Sequence, residues 1–248
     1  MDAIRADHLA LVYRRFPWSR GRAALADVSL TVAAGELHLL AGANGAGKST
    51  LLMLLAGVLA PSGGTAEVLG AAVGSAAVRR RVAWLPEASE TTSRLTAREA
   101  ARMQGALYGL SSATGRERAA QSLHEVGLDR LADRSLHTLS KGERRRAALA
   151  QVLVSDPELL LLDEPLDGVD PESGELLLEL LARRAATGKT VLLSTHVLLD
   201  GRRGAQRLTV LDAGRVVASG PPAELLRRPE GGEPLSFAEL LRRRRGGG

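Results

Sequence analysis

The sequence contains no cysteine, which excludes disulfides and cysteine-based metal centres and fits a reducing compartment. Aromatic residues make up only 2% of the 248 positions, so the core has to be built from Leu, Val and Ala, which dominate the 45% hydrophobic fraction. No apolar run approaches the roughly 18 residues that cross a bilayer, and residues 1–7 hold no apolar signal region. A soluble, cytoplasmic chain is the expectation. Lysine is scarce: of 33 Lys+Arg, only Lys48, Lys141 and Lys189 are lysine. The net charge of +5 therefore comes from arginines dispersed among 28 Asp+Glu, and no nucleic-acid partner is expected. The length suits one large domain or two small ones.

Against that background one glycine-rich stretch stands out. Residues 42–50 read Gly-Ala-Asn-Gly-Ala-Gly-Lys-Ser-Thr and match G-x-x-x-x-G-K-S/T at every specified position. An apolar run, Leu37 to Ala41, precedes it and another, Leu51 to Ala56, follows, so the pattern is strand, turn, helix. Gly42, Gly45 and Gly47 let the backbone curl so that the N–H groups of Asn44, Ala46 and their neighbours converge on phosphate oxygens. A helix beginning near Gly47 aims its unsatisfied N–H groups at the same anion. Lys48 supplies a point charge for the β- and γ-phosphates, Ser49 a hydroxyl for Mg2+, and Thr50 closes the motif.

Two further stretches carry chemistry. Leu159–Leu162 is a continuous apolar run, as a buried parallel strand requires, and it delivers Asp163 and Glu164 at its C-terminal end. In a parallel sheet that is the ligand edge, beside the phosphate loop. Asp163 is placed to hold Mg2+ through water and Glu164 to polarise an attacking water. The stretch Leu139-Ser140-Lys141-Gly142-Glu143 has the S-x-x-E spacing of a capping box and opens a helix to about Val154. The Ser140 hydroxyl and the Gly142 N–H make a second anion site at that helix start. The chain already has one phosphate cradle, so this second one is expected to serve a nucleotide held mainly by another copy.

The remaining pattern is coarse. Residues 2–34 alternate as two strands around a basic loop at 14–22. Pro61–Gly64 reads as a turn, with strands at Thr65–Leu69 and Arg81–Leu85. Residues 96–110 and 114–126 read as helices ended by Gly109 and Gly127, which makes 93–140 a helical insertion. Pro171–Ala186 reads as a helix, Thr190–Ser194 as a buried strand, and 207–211 with 215–218 as a hairpin. The segment from Pro221 reads as helix-poor until Ser236, where Ser236 and Glu239 have capping-box spacing, and the Arg242–Arg245 run reads as a solvated helix end or frayed tail, with contact to an anionic membrane surface as the lesser reading.

Across roughly residues 4–225 these stretches together resemble the ATP-binding cassette (ABC) family. Gly42–Thr50 looks like its Walker A loop, Leu139–Glu143 its signature loop, and Leu159–Glu164 its Walker B strand. Pro165–Asp170 resembles the D-loop, Ser194-Thr195-His196 the switch histidine, and Trp84-Leu85-Pro86-Glu87 the Q-loop. Tyr13 takes the position of the aromatic that stacks on adenine, with Phe16 as its neighbouring rival. The chain departs from the family in three places. The signature reads L-S-K-G-E instead of L-S-G-G-Q, Glu87 replaces glutamine, and Gln206-Arg207 replaces an Asp-Arg pair.

The resemblance implies an α/β fold: a P-loop NTPase (RecA-like) core with an N-terminal antiparallel β subdomain and an inserted α-helical subdomain. It implies a cassette over 1–225 and a short basic C-terminal tail over 226–248. It implies an ATPase that binds ATP and Mg2+. Lys48, Glu164 and His196 are then catalytic, and Ser49, Asp163 and Glu87 hold the metal. Tyr13, the 42–50 loop, Glu87, Ser140, Gly142 and Asp170 contact nucleotide. Its partners are a second cassette and a separate membrane permease, at the cytoplasmic face of the membrane. The W-L-P-E stretch and compact insertion look like exporter subunits. A small-solute importer is the alternative, followed by a non-transport ABC ATPase on ribosomes or DNA. No N-K-x-D guanine-reading motif is present.

Overall fold

The structure, a computed structural model, describes residues 1–14, 21–87, 94–196, 204–228, 235, 239, 240 and 242. The chain opens with β1 (Asp2–Tyr13) and β2 (Arg22–Ala33), then β3 (Leu37–Gly42) and α1 (Lys48–Leu55). β4 (Gly63–Val68), β5 (Ala71–Ala72), α2 (Ala76–Arg79) and β6 (Val82–Leu85) follow. The helical insertion contains α3 (Ala97–Leu107) and α4 (Ser112–Glu125) and leads into α5 (Lys141–Leu153). The chain returns through β7 (Leu159–Leu162), α6 (Pro171–Ala186), β8 (Thr190–Thr195), β9 (Arg207–Asp212), β10 (Arg215–Gly220) and α7 (Pro222–Leu225).

Two sheets result. An antiparallel sheet has the order β2-β1-β4-β5, and a larger one the order β10-β9-β3-β8-β7-β6. In the larger sheet β6, β7, β8, β3 and β9 are mutually parallel, and β10 closes one edge as an antiparallel hairpin partner of β9. The expected α/β class, with an antiparallel sheet at the N-terminus and inserted helices, is the fold observed.

The buried strands show why an uninterrupted apolar run was required. Alternate side chains of a strand point to opposite faces. Leu159 and Leu161 enter a core shared with α1 and the antiparallel sheet, whereas Leu160 and Leu162 enter one shared with α3, α4, α5 and α6. Leu39 and Leu40 of β3 divide in the same way. Truncating any of these leucines to Ala removes about 2–5 kcal/mol.

Because β3, β6, β7 and β8 run parallel, Gly42, Leu85, Leu162 and Thr195 finish on one edge of the sheet. That edge receives the phosphate loop, Glu87, Asp163, Glu164 and His196.

Several expectations need correction. Gly63 and Gly64 are not part of the turn at Pro61. They begin β4, where Gly63 pairs with Ala10 of β1. The segment after Pro221 is not helix-poor at its start, because Pro222 sits at the first position of α7 and its fixed φ favours that place. The short β5 and α2 carry too little periodicity to be read from sequence. Beyond 225, Leu226, Leu235 and Leu240 are buried in the core shared with the helices. Residues 236–238 and 243–245, on which the second capping box and most of the arginine run fall, lie outside the described residues. Among the described residues no helix is long and apolar enough to cross a membrane.

Candidate functional site

The phosphate loop is shaped by its glycines. Gly47 is the N-cap of α1 with φ 109°, a left-handed geometry that an L side chain rarely adopts. A Cβ at Gly47 would stand 2.7 Å from the Ala24 carbonyl oxygen, so β2 also requires glycine there. No side chain caps α1, which leaves its first N–H groups for an anion. Lys48 is buried and donates to the Gly42 carbonyl at 2.8 Å and to the Ala43 carbonyl at 3.4 Å.

Opposite the loop stand the two carboxylates. Asp163 is buried and accepts a hydrogen bond from the Ser194 hydroxyl at 2.6 Å. The same hydroxyl oxygen accepts from the Glu164 N–H at 2.9 Å, so one serine on β8 orients both acids. Glu164 itself has φ 47°, the left-handed region, which costs a non-glycine residue about 1–3 kcal/mol and persists only where surroundings impose it. Its Oε1 lies 3.1 Å from Lys48 Nζ and its Oε2 lies 2.9 Å from His196 Nδ1. The His196 N–H also donates to Oε2 at 3.2 Å. With Glu164 ionised, Nδ1 carries the ring proton toward it. A cation, a carboxylate and an imidazole are thus joined in one chain at the mouth of the loop.

Three participants had no distinct sequence signal. Arg145 is buried at 5% exposure, donates to the Pro86 carbonyl at 2.7 Å and the Glu87 carbonyl at 3.0 Å, and also bonds the Asp163 carbonyl. Burial pushes its guanidinium below its ordinary value, against the opposing charges of Asp163, Asp167, Glu87 and Glu164. It is the middle member of Arg144-Arg145-Arg146, and nothing in that run says which one turns inward. Ser194 was legible only as the residue before Thr195-His196. Asp167 was one letter of the D-loop.

A cavity of about 600 Å³ opens at this edge. Tyr13, Asn44, Gly45, Gly47, Lys48, Ser49, Thr50, Glu87, Asp167, Glu164 and His196 line it. Tyr13 is 44% exposed, with its hydroxyl 3.4 Å from the Thr50 hydroxyl oxygen. Phe16, the rival aromatic, lies outside the described residues. Asp163, Gly42 and Ala46 are buried and do not line it.

Ser140, Gly142 and Asp170 are elsewhere. Ser140 and Glu143 form the expected capping box at the start of α5: the Ser140 hydroxyl accepts from the Glu143 N–H and the Glu143 carboxylate accepts from the Ser140 N–H. Asp170 caps α6 by accepting from the Ser173 N–H at 2.9 Å. Neither helix start lines the cavity of its own chain. At the far end of β3, Gln206 accepts from the Leu37 N–H at 2.7 Å and Arg207 approaches Glu36 at 3.8 Å.

Residues 25–167 match the family model described as ABC transporter. The daunorubicin/doxorubicin resistance ATP-binding protein DrrA of Streptomyces peucetius is 40% identical over 225 residues, 90% of this chain and 66% of that protein. The chain belongs to the ABC transporter family. It is an ATP-binding ABC ATPase domain with the P-loop NTPase fold. The Nod factor export ATP-binding protein I of Cupriavidus metallidurans is 38% identical over 202 residues, covering 81% of this cassette and 67% of that protein. The chain therefore spans about two thirds of the length of these relatives. The structure of an ATP-binding subunit of an ABC transporter superposes at TM-score 0.82 and 30% identity, covering 98% of this chain and 99% of that one. The dimeric post-hydrolysis cassette MJ0796, bound to ADP and Pi, superposes at TM-score 0.80 and 25% identity, covering 88% and 98%.

Proposed function

We propose that the protein hydrolyses ATP to ADP and phosphate and uses the cycle to drive export through a separate membrane permease. The observation that carries this reading is the chain Lys48–Glu164–His196 set at an uncapped helix start and the mouth of an open, polar cavity. The loop N–H groups and Lys48 bind the β- and γ-phosphates. Tyr13 stacks on the base. Glu164 takes the proton of the attacking water as oxygen bonds to the γ-phosphorus and the bond to ADP breaks. The His196 ring N–H, released from Glu164 as nucleotide enters, donates to the γ-phosphate and steadies the developing charge.

Ser49, Asp163 and Glu87 offer hydroxyl and carboxylate oxygens, the hard donors that suit Mg2+. Among the described residues no group of three or more His, Asp or Glu could hold a metal ion by itself, which fits an ion held mostly by phosphates and water. When bound, Mg2+ neutralises phosphate charge during displacement.

Ser140 and Gly142 lie off the cavity of their own chain, which supports a head-to-tail pair in which they complete a partner's nucleotide site. Asp170 directly follows Gly168 and Val169, which pack against Gly142. The dimeric MJ0796 cassette supports such a pairing. The helical insertion leaves Met103 and Leu107 of α3 exposed, and this face together with Glu87 would receive the permease at the cytoplasmic face of the membrane. The names of DrrA, a drug-resistance protein, and of the Nod factor export protein support export over import. The test is Glu164→Gln: it is expected to bind ATP and accumulate as a closed dimer with turnover reduced at least about 100-fold. Turnover at the wild-type rate would overturn the base assignment.

A further inference from the structure

The signature turn and the D-loop of one chain are held against each other. Lys141 Nζ donates to Asp167 Oδ2 at 2.8 Å. The lysine stem crosses Gly168, whose φ is +73° and whose Cβ, if it had one, would stand 2.7 Å from Lys141 Cδ. A Cβ on Gly142 would stand 2.9 Å from the Gly168 carbonyl oxygen. Two glycines therefore let the backbones meet, and a lysine closes the seam. The lysine hydrogen bond holds the Asp167 carboxyl below the usual carboxylate range, so Asp167 is ionised near neutral pH. Both side chains remain 46–67% exposed, and pairs that exposed add little to stability. What the pair fixes is geometry.

Asp167 is also on the wall of the nucleotide cavity, with Glu164 and His196. Lys141 stands where the commoner signature has glycine, which offers no side chain for such a bond. We propose that Lys141 is a positioning residue that ties the signature turn, facing the partner's ATP, to the wall of its own chain's ATP cavity, so that each site senses the other. A γ-phosphate arriving beside Glu164 repels the Asp167 carboxylate. Asp167 carries Lys141 with it, and the turn bearing Ser140 and Gly142 follows. This inference rests on the head-to-tail pair proposed above.

The test measures ATP turnover against protein concentration for the full chain and, separately, the affinity of dilute protein for a fluorescent ATP analogue. Wild-type specific activity is expected to rise with protein concentration. Lys141→Ala should keep analogue affinity within about two-fold, while the protein concentration for half-maximal activity rises at least about five-fold. Lys141→Arg should restore wild-type behaviour, because it keeps the charge and reach. In the Asp167→Asn background, Lys141→Ala should add nothing further. If wild-type activity is flat with concentration, the paired-site reading fails. If it rises but Lys141→Ala follows the wild-type curve, or Lys141→Arg loses as much as Lys141→Ala, the positioning role is overturned.

Discussion

Lys48 Nζ lies 3.1 Å from Glu164 Oε1, with the two side chains only 6% and 9% exposed. The cation that should meet phosphate is thus paired with the carboxylate that should meet water. Binding must exchange one anion for another around the same lysine. A buried pair of this kind is expensive to break from one side, because the surviving charge stays desolvated. Without nucleotide, Lys48→Met is expected to lower stability by about 3 kcal/mol, and adding Glu164→Gln to recover part of that. Urea unfolding of the two single variants and the double variant gives the coupling, expected at about 1–3 kcal/mol. Additive effects would mean that the pair does not form.

Arg145 joins the Pro86, Glu87 and Asp163 carbonyls, so it fixes the spacing between the Q-loop and the Walker B strand. Arg145→Met should cost about 2–4 kcal/mol, because the buried Asp163 carbonyl and the part-buried Pro86 and Glu87 carbonyls lose this donor. Arg145→Lys should restore only part of this, since a single ammonium cannot reproduce the planar fork. Chemical denaturation and turnover measured together check it; a fully functional lysine variant would contradict the bridging role.

Ser140 and Thr96 start two helices with the same capping box. Replacing either by Ala should remove about 1 kcal/mol of stability. Only Ser140→Ala should also depress turnover, because Thr96 faces no nucleotide on the proposed reading. Equal turnover in the two variants would assign Ser140 to capping alone.

Asp156 is met by Lys189 at 3.1 Å, Arg184 at 3.2 Å and Arg118 at 4.0 Å. Burial raises its carboxyl pKa, but the hydrogen bond from Lys189 and the three positive charges outweigh that and hold it below its ordinary 3.8. A depressed folded value means the stabilisation is present above pH 3.8 and fades as acid protonates the folded carboxylate. Asp156→Asn, which tolerates the φ of 49° seen there, should lose about 0.5–1 kcal/mol at pH 7. Wild type and variant should converge as pH falls below that range in urea unfolding; a gap independent of pH would exclude the charge as its cause.

Much of the site was legible because its signals are short-range. The run Leu37–Ala41 followed by glycines and Lys48 specifies strand, turn and helix within about 15 residues, where local geometry decides. Ser140 and Glu143 announced a helix start for the same reason. The uninterrupted leucines of β7 announced a strand covered on both faces. Gly63–Gly64 misled because glycine signals a turn as readily as a close approach between strands, and the partner, β1, is about 50 residues away in sequence.

The residue types that the chemistry uses, and the order in which they arrive (loop, signature, carboxylates, histidine), are written in the linear chain. These follow from backbone geometry and charge over a few neighbouring residues. The tertiary structure alone decided that Glu164 pairs with Lys48, that Arg145 and not its neighbours turns inward, and that Lys141 reaches Asp167. Those partners are 116, 58 and 26 residues apart or come from different strands and helices. Which side chains meet at such separations depends on strand order and on which face each helix buries, and no local pattern encodes either.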